Sequence, residues 1–371
     1  MKVGVLREVK SQELRVAITP AGVHEFVGNG HEVIIESGAG DGSSIPDHEF
    51  ASAGAEICSS LEDVWGQAEL VLKVKEPISS EFPLIRSGQM IFTFLHLAAS
   101  RECTQALIDS GCTAIAYETV ELPNGTLPLL APMSEVAGRL APQVGAQALL
   151  SISGGRGVLL GGVSGTYAAK VVVIGAGVAG MNAAAIALGM QAEVLLLDRN
   201  IARLREVDAI YQGHMQTIAS NAFEVERAVI DADLVIGAVL VHGAKAPRLV
   251  SDDLVAQMKQ GSVLVDIAID QGGCFEGSRA TTHAAPTFRV HNSLFYCVAN
   301  MPAAVPHTST YALTNVTLPY AIDLANKGWR KAMAEDPSLA LGLNVHAGEV
   351  TYTAVAEAFG YALRPVAALL S

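Results

Sequence analysis

The residue pattern that most clearly carries chemistry is a glycine-rich turn. In VVVIGAGVAG, Gly175, Gly177 and Gly180 stand in the spacing G-x-G-x-x-G, behind a β-branched run and ahead of an Ala-rich stretch. Such a turn lets backbone approach a pyrophosphate while a helix N-terminus faces the anion. A chain with 35 glycines meets this spacing by chance, so the surroundings decide. The next apolar run, EVLLLD, ends in Asp198, 18 residues beyond Gly180. An acid at that strand tip accepts hydrogen bonds from adenosine ribose hydroxyls and repels a 2′-phosphate, which favours NAD over NADP. Arg199 beside it reads as a solvated neighbour. The plain alternative is a glycine-rich turn in which Asp198 only caps a strand.

Hydride chemistry on a small acid also requires a cation for the carboxylate, a proton-transfer group, and strand tips that carry both to a nicotinamide. SQELRVAIT places Arg15 shortly after the first apolar strand, and VLKVKEP ends a buried strand with Lys73 and Lys75. IFTFLHLAAS puts His96 at a C-terminal strand edge, and VLVDIAIDQGG sets Asp270 just beyond another. Open α/β sheets bind ligands at those edges. Taken singly, each residue has a structural alternative. These are a surface ion pair for Arg15, solvent for Lys75, a satisfied histidine for His96, and a turn before Gly272 and Gly273 for Asp270.

Short apolar runs alternating with amphipathic or Ala-rich stretches must position these groups, the pattern of β-α-β units around parallel sheets. The spacing predicts strands over residues 2–6, 32–36, 70–74, 90–95 and 113–117, and a second series over 171–174, 193–197, 215–218, 234–236, 262–266 and 294–298. Thr19 and Gly30 bound a helix over 20–29, and Ser100 and Gly111 bound another over 101–110. Two Ala-rich helices, over about 134–151 and 308–327, flank the second series despite Pro142 and Pro319. The glycine-dense 154–165 reads as a connection. The expected fold is α/β, two doubly wound parallel-sheet domains. The nucleotide domain, 133–307, is inserted into a discontinuous substrate domain of 1–132 and 308–371, which implies a cleft between them.

Composition excludes other classes. Half the residues are apolar and only 16% charged, which disfavours disorder. The net charge of −13 with no basic run argues against nucleic-acid partners. Residues 171–192 carry no charged side chain over 22 positions, long enough to span a bilayer. Four glycines and Asn182 within that run favour a buried strand, turn and helix instead. Charges in MKVGVLREVK argue against a signal peptide and for a cytoplasmic protein. Five cysteines with no CxxC read as reduced, buried thiols, and no metal site is signalled.

The segments LREVKSQELRVAITPAGV, LVLKVKEP, TFLHLAAS, AYETVELP, APMSEVAGRL, VVVIGAGVAG, DLVIGAVL, VDIAIDQGGCFE and CVANMPAAVPHTSTYALTN together resemble the bacterial alanine dehydrogenases. The likeness runs to about residue 345. It implies reversible oxidative deamination of L-alanine to pyruvate and ammonium with NAD, by a homohexamer of this two-domain fold. It also implies that Arg15 binds the substrate carboxylate, that Lys75 contacts the carboxylate or the reacting oxygen, and that His96 and Asp270 transfer protons. Asn300 adds a substrate contact. Around the cofactor the resemblance places Ser134, Gly175, Gly177, Val178, Ala179, Gly180, Asp198, Arg203, Ser220, Val239 and Leu240. Ile267, Ala268, Ile269, Asp270, Arg279, Val298, Ala299, Asn300 and Met301 would line the remaining wall. For the hydrophobic members, core packing is the plain alternative.

Relatives commonly carry Pro where this chain has Ser164 and His242; His242, next to Val239 and Leu240, bears on adenine-side affinity. Besides the saccharopine-type amino-acid dehydrogenases, whose segments match less well, two rival functions follow from the same residues. The first is the soluble nucleotide-binding part of a nicotinamide transhydrogenase, which would continue toward membrane segments and would not need Arg15, Lys75, His96 and Asp270 together. The other is a non-catalytic NAD-binding sensor, which binds nucleotide without turnover.

Overall fold

The computed structural model describes residues 1–239 and 246–370. The chain divides into two compact units, one formed by Met1–Met133 with Val305–Ser371 and the other by Ser134–Ala304.

The first unit is built on an eight-stranded sheet. Its order is Glu349–Val350, Leu343–His346, Thr113–Ala116, Met90–Thr93, Leu70–Leu72, Lys2–Val5, Glu32–Glu36 and Glu56–Cys58. The six strands from Thr113–Ala116 to Glu56–Cys58 are parallel, and the last two elements of the chain's sheet run antiparallel at one edge. The central strands are buried on both faces, which is why they read as continuous apolar runs. Thr19 accepts the Gly22 amide to start the helix Pro20–Gly28, and Ser100 caps Arg101–Ser110, which ends at Gly111 in the left-handed region.

The second unit is a seven-stranded sheet ordered Thr287–Val290, Ser293–Tyr296, Val263–Asp266, Leu234–Gly237, Lys170–Ile174, Glu193–Asp198 and Gln216–Ala219. Lys170–Ile174 and Leu234–Gly237 lie side by side, yet the chain leaves them toward opposite edges. Their C-terminal ends therefore form the switch point at which doubly wound sheets bind ligands. The uncharged run at 171–192 resolves into the end of the strand Lys170–Ile174, the glycine turn and the helix Val178–Gly189. Among the described residues, no helix is long and apolar enough to cross a membrane.

Both sheets are mainly, not wholly, parallel. The strands Glu56–Cys58, Thr287–Val290, Leu343–His346 and Glu349–Val350, each at or next to a sheet edge, escape the sequence reading. The two hairpins turn on Ala347–Gly348 and His291–Asn292, where Ala347, Gly348 and His291 all take positive φ. Two-residue turns need that conformation but usually advertise it with Asn-Gly. The long helices also differ in extent. Ala131–Leu149 holds Pro142 inside, and Pro306–Glu335 holds Pro319 and breaks only at Gly328 (φ 72°, ψ 157°).

Candidate active site

In the second unit the expected cofactor residues line one sheet edge. Gly175 follows Lys170–Ile174, Asp198 ends the next strand and Ser220 follows the one beyond. Val239 comes after Leu234–Gly237, Ile267–Asp270 after Val263–Asp266, and Val298–Met301 after Ser293–Tyr296. All these strands are parallel, so all these ends share one side. Ser134 sits in the first turn of Ala131–Leu149. Arg279 lies off the edge, its guanidinium over the Phe288 ring at 4.2 Å. The Asn300 carbonyl is 2.9 Å from His283 Nε2. Val298 and Met301 are buried, whereas Asp270 is exposed. Leu240 and His242 lie outside the described residues. Ser164 is exposed in the 154–165 connection.

The glycine turn fits a pyrophosphate. A Cβ at Gly180 would sit 1.7 Å from the Gly175 carbonyl oxygen, and one at Gly175 (φ 104°) would meet the Ala238 carbonyl at 2.7 Å. Both glycines are demanded by the protein itself. At Gly177 an added Cβ meets nothing within 4 Å, so the bare backbone there faces open space. Gly177 is the N-cap of Val178–Gly189 and supplies no side-chain acceptor, which leaves the helix's first amides directed at an incoming anion.

Asp198 and Arg203 hold Ala176 by its N–H and its carbonyl respectively. Asp198 Oδ2 accepts the Ala176 N–H at 2.6 Å, and Arg203 Nε donates to the Ala176 carbonyl at 2.9 Å. Asp198 Oδ1 accepts the Asn200 amide at 2.7 Å, so the carboxylate does cap its strand. Each carboxylate oxygen can accept a further hydrogen bond, which leaves the capping role compatible with ribose contact. Arg203 Nη1 also pairs with Glu206 at 2.6 Å.

In the first unit Arg15, Lys75 and His96 follow the C-terminal ends of three adjacent parallel strands, Lys2–Val5, Leu70–Leu72 and Met90–Thr93. Arg15 is buried, and Glu13 grips its guanidinium with Nε–Oε1 and Nη2–Oε2 distances of 2.6 Å each. Its Nη1 reaches Met133 Sδ at 3.0 Å. The two lysines of VLKVKEP part company. Lys73 is fully buried between Glu8 (3.3 Å) and Glu81 (2.9 Å), whereas Lys75 is half-buried and its carbonyl accepts the Thr93 hydroxyl at 3.1 Å. Burial alone would push the Lys73 ammonium toward neutrality, but the two carboxylates outweigh it and hold its pKa above the ordinary value. Burial pushes the Glu8 carboxyl up.

His96 is exposed and takes the left-handed conformation (φ 48°, ψ 37°), a backbone state that costs a non-glycine residue about 1–2 kcal/mol. Its ring stacks on Phe94 with the planes 4° apart. Glu118 holds it there: Oε1 accepts the His96 N–H at 2.6 Å, and both oxygens lie 3.2 Å from the Leu95 amide. Glu118 and Glu13, which hold two of the candidate site residues, are contacts that the sequence reading misses. The signal lies in sheet order, since Glu118 follows Thr113–Ala116, the strand beside that of His96.

The alanine dehydrogenase/PNT N-terminal domain model matches residues 4–137, and the corresponding C-terminal domain model matches 141–353. An alanine dehydrogenase of Mycobacterium tuberculosis (strain CDC 1551 / Oshkosh) is 61% identical over 371 residues, 100% of both chains. The chain belongs to the alanine dehydrogenase/PNT family. An alanine dehydrogenase of Halomonas elongata is 55% identical over 370 residues, again 100% of each. Among solved structures, an L-alanine dehydrogenase superposes with a TM-score of 0.94 at 50% identity, covering 97% of this chain and 99% of that one. A transhydrogenase from Sinorhizobium meliloti reaches 0.80 at 27% identity, covering 95% and 100%. As a member of the alanine dehydrogenase/PNT family the chain is an oxidoreductase, and the family implies a nicotinamide cofactor.

Proposed function

We propose that the protein catalyses the reversible, NAD-dependent oxidative deamination of L-alanine. Alanine, NAD and water give pyruvate, ammonium, NADH and a proton. The observation that carries this reading is the 61% identity, over the full length of both chains, to a relative named alanine dehydrogenase. The transhydrogenase likeness is far weaker at 27% identity.

On this reading residues 133–307 form the NAD domain, inserted into a substrate domain of 1–132 and 308–371. Gly177, Val178 and Ala179 present backbone to the pyrophosphate, and Asp198 accepts the ribose hydroxyls. The fixed negative charge of Asp198 disfavours a 2′-phosphate, which selects NAD. Arg203, Ser220, Val239 and Leu240 serve the adenosine side. Ser134, Ile267 to Asp270, Arg279 and Val298 to Met301 complete the cofactor wall. NAD, when bound, accepts the hydride from the substrate Cα.

Arg15, its plane set by Glu13, pairs with the substrate carboxylate, for which a guanidinium fork is suited. Lys75 contacts the carboxylate or the oxygen at the reacting carbon, and Asn300 adds a polar contact. His96 exchanges the proton that accompanies C–H cleavage, and Asp270 orders the water that hydrolyses the iminium to pyruvate and ammonia. A cytoplasmic homohexamer completes the proposal, on family likeness alone.

The test is NADH absorbance with L-alanine and NAD at alkaline pH, repeated with NADP, with other amino acids and with His96→Ala. The proposal expects an L-alanine-dependent signal, a strong preference for NAD, and loss of turnover in the variant. Nucleotide binding without alanine-dependent turnover would instead indicate a sensor, and undiminished turnover in His96→Ala would remove the catalytic assignment.

A further inference from the structure

The segment that carries Asp270 is organised by a carboxylate that takes no direct part in the proposed chemistry. Asp266 ends the strand Val263–Asp266 and is fully buried. Its oxygens accept the Cys274 amide at 2.9 and 3.2 Å, and Oδ2 accepts the Ser278 hydroxyl at 2.6 Å. Burial pushes its carboxyl up, and the nearby Phe275 and Ala268 amides act in the opposite sense. One carboxylate at the end of the strand thus holds the chain where it returns, at Cys274 and Ser278. The short 3₁₀ turn Ile269–Gln271, with Asp270 at its centre, lies in the loop closed between the strand end at Asp266 and the return at Cys274.

The return is shaped for this contact. Gly273 has φ 81°, and a Cβ there would lie 2.6 Å from Asp266 Oδ2 and 2.8 Å from Ser278 Cβ. Only a glycine allows the chain to approach the carboxylate so closely. The loop is pinned further by Gly273 N–H to the Ala268 carbonyl at 3.1 Å, and by Ala246 N–H to the Gln271 carbonyl at 2.9 Å. Among the described residues the hydrogen-bond donors to Asp266 are backbone amides and one hydroxyl, none of them cationic. A carboxylate without a cation is costly to bury. An apolar residue would end the strand at lower cost, whereas the carboxylate ties the returning limb of the loop to the strand end.

We infer that Asp266 is a positioning residue for the reaction. By tying Cys274 and Ser278 to the strand end it closes the turn and sets the place of Asp270 against substrate and water. The inference rests on the role proposed above for Asp270. Misplacing a catalytic group by an ångström can cost about 100-fold in rate, so the effect on turnover should exceed the effect on cofactor affinity, although Ile267 to Asp270 also line the cofactor wall.

The test is Asp266→Asn, which keeps the shape but turns one acceptor into a donor facing the same amides, together with Ser278→Ala and the double variant. Measured quantities are kcat, KM for L-alanine, NADH affinity by fluorescence titration, and the melting curve. Asp266→Asn should lower kcat by about 10- to 100-fold, with NADH affinity within about threefold of the parent enzyme. Ser278→Ala should lower kcat less, and the double variant should be no slower than Asp266→Asn, because both changes act on one node. Parental kcat in a folded Asp266→Asn protein would overturn the inference, as would losses that multiply in the double variant. If Asp266→Asn does not fold, Ser278→Ala decides alone: a kcat loss larger than any loss of NADH affinity supports the inference, and parental kcat, or a kcat loss no larger than the loss of affinity, overturns it. Failure of the parent enzyme to oxidise alanine would overturn the proposed function instead, so the two failures are distinguishable.

Discussion

Glu118→Gln isolates the support of His96 from its chemistry. The carboxylate accepts the His96 amide at 2.6 Å and lies 3.2 Å from the Leu95 amide through both oxygens. Hydrogen bonds to a charged acceptor are worth about 1.5–3 kcal/mol, against about 0.5–1.5 kcal/mol for a neutral one. The amide keeps one acceptor and sets a donor against the Leu95 N–H. The expected loss is therefore about 1–1.5 kcal/mol, comparable to the ~1–2 kcal/mol needed to hold a non-glycine residue in the left-handed region. His96 then leaves its φ 48°, ψ 37° conformation for part of the time. With a factor of ten for each ~1.4 kcal/mol, kcat should fall about five- to tenfold. The assay is initial-rate NADH formation from L-alanine, with KM for NAD and the melting curve measured in parallel. KM for NAD should stay within about twofold, because Glu118 belongs to the first unit and the glycine turn to the second. Parental kcat in a folded Glu118→Gln protein would refute the reasoning. So would a kcat loss matched by an equal rise in the KM for NAD.

Lys73→Met leaves Glu8 and Glu81 facing each other with no cation between them, and should destabilise the fold by about 3–5 kcal/mol in denaturant titrations near neutral pH. The Glu8 carboxyl is already held above its ordinary range by burial, so it takes a proton readily and the deficit should shrink as pH falls into the acid range; an equal deficit at every pH would contradict this. Gly177→Ala should fold normally, with a raised KM for NAD, because its Cβ meets only open space. Gly180→Ala should lose about 1–3 kcal/mol or more of stability from its clash with the Gly175 carbonyl, and equal melting temperatures for the two variants would overturn that contrast. All five cysteines are buried, and the thiols of Cys103, Cys274 and Cys297 are pushed up to about 12 by burial. Thiolate is therefore scarce near neutrality, and a disulfide reagent should label the native protein slowly but all five thiols at once in denaturant.

The parts legible in the sequence are those where one local signal suffices. The runs KVVVI and EVLLLD, separated by a glycine turn and an Ala-rich helix, define neighbouring strands, and Thr19 or Ser100 before a helix marks its start. What escapes depends on contacts between distant segments. Lys73 and Lys75 look alike in VLKVKEP, and only the sheet shows that Glu8 and Glu81 claim the first. Glu118 meets His96 across 22 residues because their strands are neighbours. Asp266 sits in VDIAIDQGG four residues before Asp270, and its role depends on the return of the chain at Cys274 and Ser278. Short antiparallel edges are missed for a local reason, since Ala-Gly and His-Asn turns lack the usual signature.

The central claim is that this chain moves a hydride from the α-carbon of L-alanine to NAD while water replaces nitrogen. Incubation with L-alanine carrying deuterium at Cα, followed by mass analysis of the products, tests it most directly. The account predicts NADH that carries one deuterium, formed in equal amounts with pyruvate and ammonium. Reduced cofactor without deuterium, or formed without ammonium release, would contradict it.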